Sequence, residues 1–247
     1  RLVVPPVTGV PALRFDAAAR TTPGTMAENQ DAHLATERLL AVADGLSDRP
    51  SPRVASRTAV REIASAPPHL PLADLVARVS DAFFAGGSNT MQLAGMASTL
   101  DVVRLRHDDP RGWRVEGAHV GDGQVLLQDG HRIRKLTRDH TVGGRLAAID
   151  PGRAQTLAAD PDTAQLTSAV GFTGPVDPQL WWVHVNAGQR LLLSTDGLAH
   201  ALPGKAIHSL LRRGRASAPA TVADALIRMA VRAGSADNVT VVVADVA

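Results

Sequence analysis

Short apolar runs of strand length recur along this chain, and most of them are bounded by Gly, Asp or Asn. Runs of about four to eight residues that are rich in Val, Leu and Trp are typical of buried or half-buried β-strands. The chain is therefore predicted to be built around β-sheets. The predicted strands are 39–43, 99–105, 113–120, 125–128, 181–185, 190–194 and 239–246.

Helical patterns lie between these runs. Ser51 and Pro52 supply an N-cap and a proline at the first position of a helix that continues through Ile63. Segments 72–85 and 221–233 place apolar side chains at helical spacing. The glycine-bounded turn 121–123 predicts a hairpin between its flanking strands. This order favours an α+β fold with antiparallel sheets over an alternating, doubly wound fold.

Composition removes several classes of chemistry and of partner. None of the 247 residues is cysteine, which excludes a thiolate nucleophile, a thiolate zinc site and a disulfide framework. The net charge is only +2 and aromatic residues make up 3%, so nucleic-acid binding is not expected. No apolar run reaches the roughly 18 residues of a membrane span, and the N-terminus lacks a signal-peptide pattern. Without internal repeats or long linkers, we expect a single cytoplasmic domain over residues 1–247.

Aspartates mark the ends of the predicted strands. Asp44 and Asp196 each follow a strongly apolar run and precede a glycine, and Asp237 lies just before the last run. An uncompensated carboxylate at a buried strand end costs on the order of several kcal/mol. A single Asp-Gly pair is more often a simple turn. Taken together with Asp31, however, these positions favour a hard divalent cation bound through oxygen, either Mg²⁺ or Mn²⁺.

Eight short sequence motifs follow one another in an order that resembles one protein family. The motifs are Asn29-Gln30-Asp31-Ala32, Val42-Ala43-Asp44-Gly45, Met96-Ala97-Ser98-Thr99-Leu100, Val120-Gly121-Asp122, Leu136-Thr137-Arg138-Asp139-His140-Thr141, Leu166-Thr167-Ser168-Ala169-Val170-Gly171, Leu191-Leu192-Leu193-Ser194-Thr195-Asp196-Gly197-Leu198 and Gly234-Ser235-Ala236-Asp237-Asn238-Val239-Thr240. From about Asn29 to Val246 the chain resembles the bacterial metal-dependent protein phosphatases, also called protein phosphatase type 2C. Members of this family hydrolyse phosphoserine and phosphothreonine.

The resemblance implies a fold and a set of partners. The fold would be a central sandwich of two antiparallel sheets flanked by pairs of helices, in four αββα layers. A variable flap of about 142–165 would lie beside the site. A phosphorylated protein would be the substrate, a serine/threonine kinase the cognate enzyme, and the catalytic unit a monomer.

The resemblance also implies site residues, with two Mg²⁺ or Mn²⁺ ions and a more weakly held third. Asp44 would bridge the two ions, and Asp196 with Asp237 would complete one of them. Asp31 and the Gly45 carbonyl would serve the other ion, which makes Asp31 and Asp44 the catalytic candidates, and Asp122 matches the position of the third metal. Water between two such ions ionises near neutral pH and attacks phosphorus in line.

Several positions depart from the family pattern. Met26 stands where an arginine commonly grips the substrate phosphate, and a thioether cannot replace a bidentate guanidinium. Arg49 stands where a histidine could protonate the leaving alkoxide, and arginine is no acid at neutral pH. Members of the family often have Glu at the position of Gln30 and Ser-Arg at the positions of Gly123 and Gln124. These changes affect substrate handling and leave every predicted metal ligand in place.

The departures leave more than one interpretation open. Arg49, Arg53, Arg57 and Arg61 repeat every four residues, which predicts one helix stripe. The stripe is either a solvated face or the source of a phosphate contact from Arg49 or Arg53. The sequence is compatible with three functions. The protein is an active protein phosphatase, a pseudophosphatase that binds a phosphoprotein or regulatory partner, or an enzyme that hydrolyses small phosphate esters.

Histidines lie near several of the motifs but show no ligand spacing with a second histidine. We therefore predict structural or surface roles for them. The histidines concerned are His33, His119, His140, His184 and His200.

Overall fold

The computed structural model describes residues 12–46, 48–49, 51–89, 94–108, 111–157, 159–172 and 176–247. Its strands are β1 (Phe15–Thr22), β2 (Asp31–Ala35), β3 (Leu39–Asp44), β4 (Leu100–His107), β5 (Trp113–Val120), β6 (Gln124–Asp129), β7 (Arg132–Lys135), β8 (Gln179–His184), β9 (Arg190–Ser194) and β10 (Val239–Val246). Its α-helices are α1 (Pro52–Ser65), α2 (Leu72–Asn89), α3 (Val142–Ile149), α4 (Pro151–Thr156), α5 (Asp196–Ala201), α6 (Gly204–Arg213) and α7 (Pro219–Arg232). A 3₁₀ turn spans Pro161–Ala164.

Two antiparallel five-stranded sheets form the centre of the fold. One has the order β1-β10-β9-β6-β7 and the other β2-β3-β4-β5-β8. Helices α1 and α2 pack on the outer face of the second sheet, and α5, α6 and α7 pack on the outer face of the first. The four-layer α+β sandwich expected from the resemblance is confirmed.

The central strands are continuous apolar runs because both faces of the sheets are covered there. In β3, Leu40 and Val42 face the core between the sheets, whereas Ala41 and Ala43 face α1. Side chains alternate along a strand, so a strand that is buried on both faces needs apolar residues at every position. Small residues on the helix side let α1 lie close to the sheet.

The predicted strands and helices are all present, with ends that differ by up to four residues. Strands β1, β2 and β7 and helices α3 to α6 have no counterpart in the prediction. β1, β2 and β7 lack a continuous apolar run, since each is partly exposed. They are edge strands of their sheets, where one side of the ladder is open.

The predicted hairpin between β5 and β6 is wrong. β5 pairs with β4 and β8, whereas β6 pairs with β7 and β9 in the other sheet. The turn therefore carries the chain from one sheet to the other. Gly121 has a φ of 111°, which a side chain rarely allows, and a Cβ there would lie 2.7 Å from the Thr99 side chain. Asp122 sits in this crossing, at the same end of the sandwich as the ends of β3 and β9.

In the segment predicted to be a flap, about 142–165, the two ends lie side by side. Val142 N donates to the Gln165 carbonyl at 3.0 Å, and Thr141 bridges Leu166, so the two ends of the segment meet. The Thr141 hydroxyl caps α3 by accepting from Gly144 N. Within the described part of this segment, no residue of α3, α4 or the 3₁₀ turn is buried.

None of the helices in the described part of the chain is both long enough and apolar enough to cross a membrane.

Candidate metal centre

Asp31 and Asp44 are direct partners across the β2–β3 ladder. Side chains of directly opposed residues lie on the same face of a sheet, and two like charges there repel each other. Burial raises the pKa of Asp31 to about 6, although hydroxyls of Thr240 and Thr195 oppose the rise. Burial and the charges of Asp31 and Asp196 hold the pKa of Asp44 well above its usual range. These two carboxylates thus share one crowded site.

Asp196 and Asp237 join the same site from the other sheet. Asp196 begins α5 directly after β9, and Asp237 precedes β10, which pairs with β9. A ligand oxygen from each lies within 4.8 Å of the other and of a ring nitrogen of His200. Burial also raises the pKa of Asp196, with the charge of His200 opposing and that of Asp237 adding to the rise.

Asp122 reaches the cluster from the crossing between the sheets. Burial, followed by the charge of Asp196, raises its pKa to about 7. Five aspartates from distant parts of the chain therefore influence one another electrostatically. They are Asp31, Asp44, Asp122, Asp196 and Asp237.

Backbone geometry at the Asp44-Gly45 step leaves no room for a side chain. A Cβ on Gly45 would lie 1.9 Å from the carbonyl oxygen of Pro52, and Gly45 N donates to the Gln30 carbonyl at 3.2 Å. The Asp44 carbonyl accepts from Ser98 Oγ at 2.8 Å and from Thr99 N at 2.8 Å. The backbone that carries the central aspartate is thus held from both sides.

Two further polar residues, Thr195 and Asn238, form hydrogen bonds beside these aspartates. Thr195 Oγ1 donates to Asp31 Oδ2 at 2.9 Å and accepts from Thr240 N at 3.0 Å. Asn238 Oδ1 accepts from Gln30 N at 2.6 Å, and Asn238 Nδ2 donates to the carbonyls of Pro23 and Glu28 in the loop between β1 and β2. Both are buried polar residues beside strand-end aspartates, which is the one signal that could have identified them.

The donor set suits a hard divalent cation. Carboxylate oxygens are the ligands that Mg²⁺ and Mn²⁺ prefer. Asp31 Oδ1 and Asp196 Oδ1 are both buried, and neither has a hydrogen-bond partner among the residues described. Because a buried carboxylate oxygen without a partner is costly, a cation would satisfy these two atoms.

The arginine stripe is only partly as predicted. Arg49 precedes α1, because Ser51 has a φ of 52° and the helix begins at Pro52. The prediction that Arg49 shares the stripe of Arg53, Arg57 and Arg61 is therefore wrong. A left-handed residue cannot continue a right-handed helix.

The two predicted phosphate contacts have other partners. The Arg49 guanidinium lies 5.1 Å from the ring centroid of Phe172. Arg53 Nη1 donates to Glu28 Oε1 at 2.7 Å. Arg57 lines a cavity of about 390 Å³ that also includes Asp31.

The histidines have different surroundings. His33 and His184 are exposed, and His119 is wholly buried with hydrogen bonds to Asp101 Oδ1 at 2.8 Å and the Arg138 carbonyl at 2.9 Å. His140 Nδ1 accepts from Gly121 N at 3.3 Å, and burial lowers its pKa to about 4. His200 lies beside Asp196 and Asp237, which the sequence analysis did not anticipate.

Comparison with known proteins places this chain in a family. Residues 24–229 match the family model described as protein phosphatase 2C. The serine/threonine protein phosphatase PstP of Mycobacterium tuberculosis is 34% identical over 239 residues, which cover 93% of this chain and 44% of PstP. The chain thus spans less than half the length of that relative.

Solved structures show the same fold. A crystal structure of the M. tuberculosis phosphatase PstP/Ppp has a TM-score of 0.82 at 30% identity, covering 94% of this chain and 99% of that one. The catalytic domain of a PstP in complex with two manganese ions has a TM-score of 0.78 at 31% identity, covering 95% and 99%. The chain belongs to the protein phosphatase 2C family.

Proposed function

We propose that this chain is a metal-dependent protein phosphatase that hydrolyses phosphoserine and phosphothreonine. The observation that carries the proposal is the convergence of five aspartates, two with buried oxygens that have no hydrogen-bond partner among the described residues. The family membership and the manganese in the PstP structure support the same proposal.

Two ions of Mg²⁺ or Mn²⁺ are the cofactors in this proposal, and a third is held more weakly. Asp44 would contact both ions, Asp196 and Asp237 one of them, and Asp31 with the Gly45 carbonyl the other, while Asp122 would serve the third. When bound, such ions lower the pKa of water and neutralise charge that develops on the phosphoryl oxygens.

The chain's own residues position the ligands and bind the substrate. Thr195 orients the Asp31 carboxylate, and Ser98 with Thr99 holds the backbone at Asp44. Arg49, which is exposed and outside the helix, and Arg53 are the proposed phosphate contacts. The 2.7 Å ion pair of Arg53 with Glu28 would have to open for that contact, and so would the longer, 3.8 Å pair of Arg49 Nε with Asp48 Oδ2.

The proposal extends to the setting of the enzyme. A serine/threonine kinase would supply the phosphorylated protein, and the phosphatase would act on it in the cytoplasm as a monomeric domain over residues 1–247. Met26 and Arg49 in place of a phosphate-gripping arginine and a proton-donating histidine would weaken turnover.

A phosphothreonine peptide with Mn²⁺ tests the proposal. We expect phosphate release that EDTA stops and that Asp44→Asn reduces at least a hundredfold, because the central ligand is lost. Asp129→Asn, at an exposed position at the end of β6, is the matched control and should retain activity. Metal-replete protein that binds the peptide without releasing phosphate would reject the catalytic function and favour the pseudophosphatase.

The weakened turnover has a separate test. Met26→Arg, which adds a guanidinium and leaves Arg49 in place, should raise kcat/KM by about tenfold or more, since a charge-assisted phosphate contact contributes a few kcal/mol. An unchanged kcat/KM in a variant that still binds Mn²⁺ would show that the residue at position 26 does not limit the rate.

A further inference from the structure

His200 lies one helical turn after Asp196, on the same side of α5. Its Nδ1 atom is 3.5 Å from Asp196 Oδ2. Residues four apart face the same way along a helix, so the pair projects together from the start of α5. The contact alone would be an ordinary i,i+4 ion pair at the protein surface.

Asp237 lies close to both residues of this pair. One ligand atom from each of Asp196, His200 and Asp237 lies within 4.8 Å of the other two. Ligands of one octahedral ion at about 2.1 Å lie about 3.0 Å apart when adjacent and about 4.2 Å apart when opposite. The three side chains therefore need only small movements to bind one ion together.

Burial supplies a second, independent observation. Asp196 Oδ1 is buried and has no hydrogen-bond partner within the described part of the chain, so the His200 contact through Oδ2 leaves the carboxylate only half satisfied. The His200 side chain is 60% exposed, which leaves its ring room to turn towards an ion. An ion between the two residues would satisfy both groups.

We propose that His200 donates an imidazole nitrogen to the ion held by Asp196 and Asp237. This inference rests on the metal centre of the proposed function and adds a ligand of a different chemical kind to it. Imidazole binds transition-metal ions more tightly than it binds Mg²⁺, because Mg²⁺ prefers oxygen ligands. His200 thus biases this position of the centre towards Mn²⁺.

Pulsed electron paramagnetic resonance of Mn²⁺ tests the assignment directly, because a bound nitrogen gives a ¹⁴N coupling. We expect this coupling in the wild-type protein and in His69→Gln, a control at an exposed histidine between α1 and α2. His200→Gln should lose the coupling, and its Mn²⁺ affinity should fall by about tenfold. Its Mg²⁺ affinity should change less than about threefold.

A second variant separates the ligand role from a structural one. His200→Asp supplies an oxygen in place of the nitrogen, so it should recover Mn²⁺ affinity without the ¹⁴N coupling. Wild-type protein that binds Mn²⁺ without the coupling, or His200→Gln that keeps it, would overturn the inference and leave the proposed phosphatase intact. Wild-type protein that binds no Mn²⁺ would overturn both.

Discussion

Thr195 Oγ1 donates a 2.9 Å hydrogen bond to Asp31 Oδ2, and this bond ties the end of β9 in one sheet to the start of β2 in the other. The same hydroxyl accepts from the backbone N–H of Thr240. One buried side chain therefore links the sheets at the point where the aspartates converge. The relationship fixes the relative position of aspartates that come from different sheets.

Removing this hydroxyl should weaken the metal centre. Thr195→Val keeps the side-chain shape but leaves the Thr240 N–H without its acceptor, which costs about 1–3 kcal/mol of folding stability. We expect Mn²⁺ affinity, measured by calorimetric titration, to fall by about tenfold. Thr195→Ser keeps the hydroxyl and should bind Mn²⁺ as the wild type does. Equal affinity in the valine variant would contradict a positioning role.

Metal-free protein should lose stability as the pH rises. The folded-state pKa of Asp31 is about 6 and that of Asp122 about 7, both above the value near 3.9 of an unfolded chain. The folded state therefore binds these protons more tightly, and the resulting stability is complete below about pH 4 and is lost as the pH passes through 6 and 7. A tenfold change in proton affinity corresponds to about 1.4 kcal/mol, so we expect a decrease on the order of a few kcal/mol.

Thermal unfolding in EDTA at pH 5 and pH 8 measures this decrease. Asp44→Asn removes one of the repelling charges and should reduce the difference between the two pH values. Saturating Mn²⁺ should abolish or reverse the trend, because the ions bind deprotonated carboxylates. Metal-free wild-type protein that is equally stable at both pH values would refute the prediction.

Gly197 should not tolerate even a methyl group. A Cβ at this position would lie 1.9 Å from the backbone carbonyl oxygen of Asn238, so α5 or the start of β10 would have to move. We expect Gly197→Ala to lower the free energy of unfolding by about 1–3 kcal/mol or more and to weaken Mn²⁺ binding through Asp196. Gly204→Ala, at the first residue of α6, meets nothing within 4 Å and is the control. Chemical denaturation of the two variants compares them, and equal stability would argue against the close approach.

The buried pair of Asp101 and His119 should be costly to break. Both side chains are at most 1% exposed, and their 2.8 Å hydrogen bond lies beside the crossing that carries Asp122. Burial lowers the pKa of His119, but the charge of Asp101 and the hydrogen bonds to Asp101 and Arg138 outweigh it, so the pKa is raised.

We expect Asp101→Asn to lower the free energy of unfolding by about 3–5 kcal/mol, since it leaves a buried histidine without its charged partner. Urea denaturation of the variant measures the change. The double variant Asp101→Asn with His119→Gln removes both ionisable groups and should regain part of the lost stability. A loss below about 1 kcal/mol in the single variant would contradict this account.

Much of the fold and of the candidate site follows from local sequence. The apolar run Val239–Val246 has the same bounds in the sequence and in the structure, because a strand that is buried on both faces is apolar at most positions. The aspartates at the ends of such runs were identified for a similar reason. A carboxylate that ends a buried strand needs a compensating group, and that need can be read from the sequence.

Pairing and side-chain partners could not be read in this way. The turn at Asp122 looks like a hairpin turn, yet its two strands belong to different sheets. Arg53 looks like a free cation on a helix face, yet it is paired with Glu28 from a separate loop. Nothing near His200 in the sequence indicates that Asp237 lies beside it.

The amino-acid sequence by itself determined most of the strand and helix segments, because burial and periodicity act over a few neighbouring residues. It also determined which aspartates lie at the ends of buried strands and therefore need a compensating charge. Only the tertiary structure decided which sheet each strand joins, which hydroxyl orients Asp31, and which histidine reaches the carboxylates. Those choices depend on contacts between residues far apart in the chain, such as Thr195 with Asp31, whose free energy exists only once both sheets have formed.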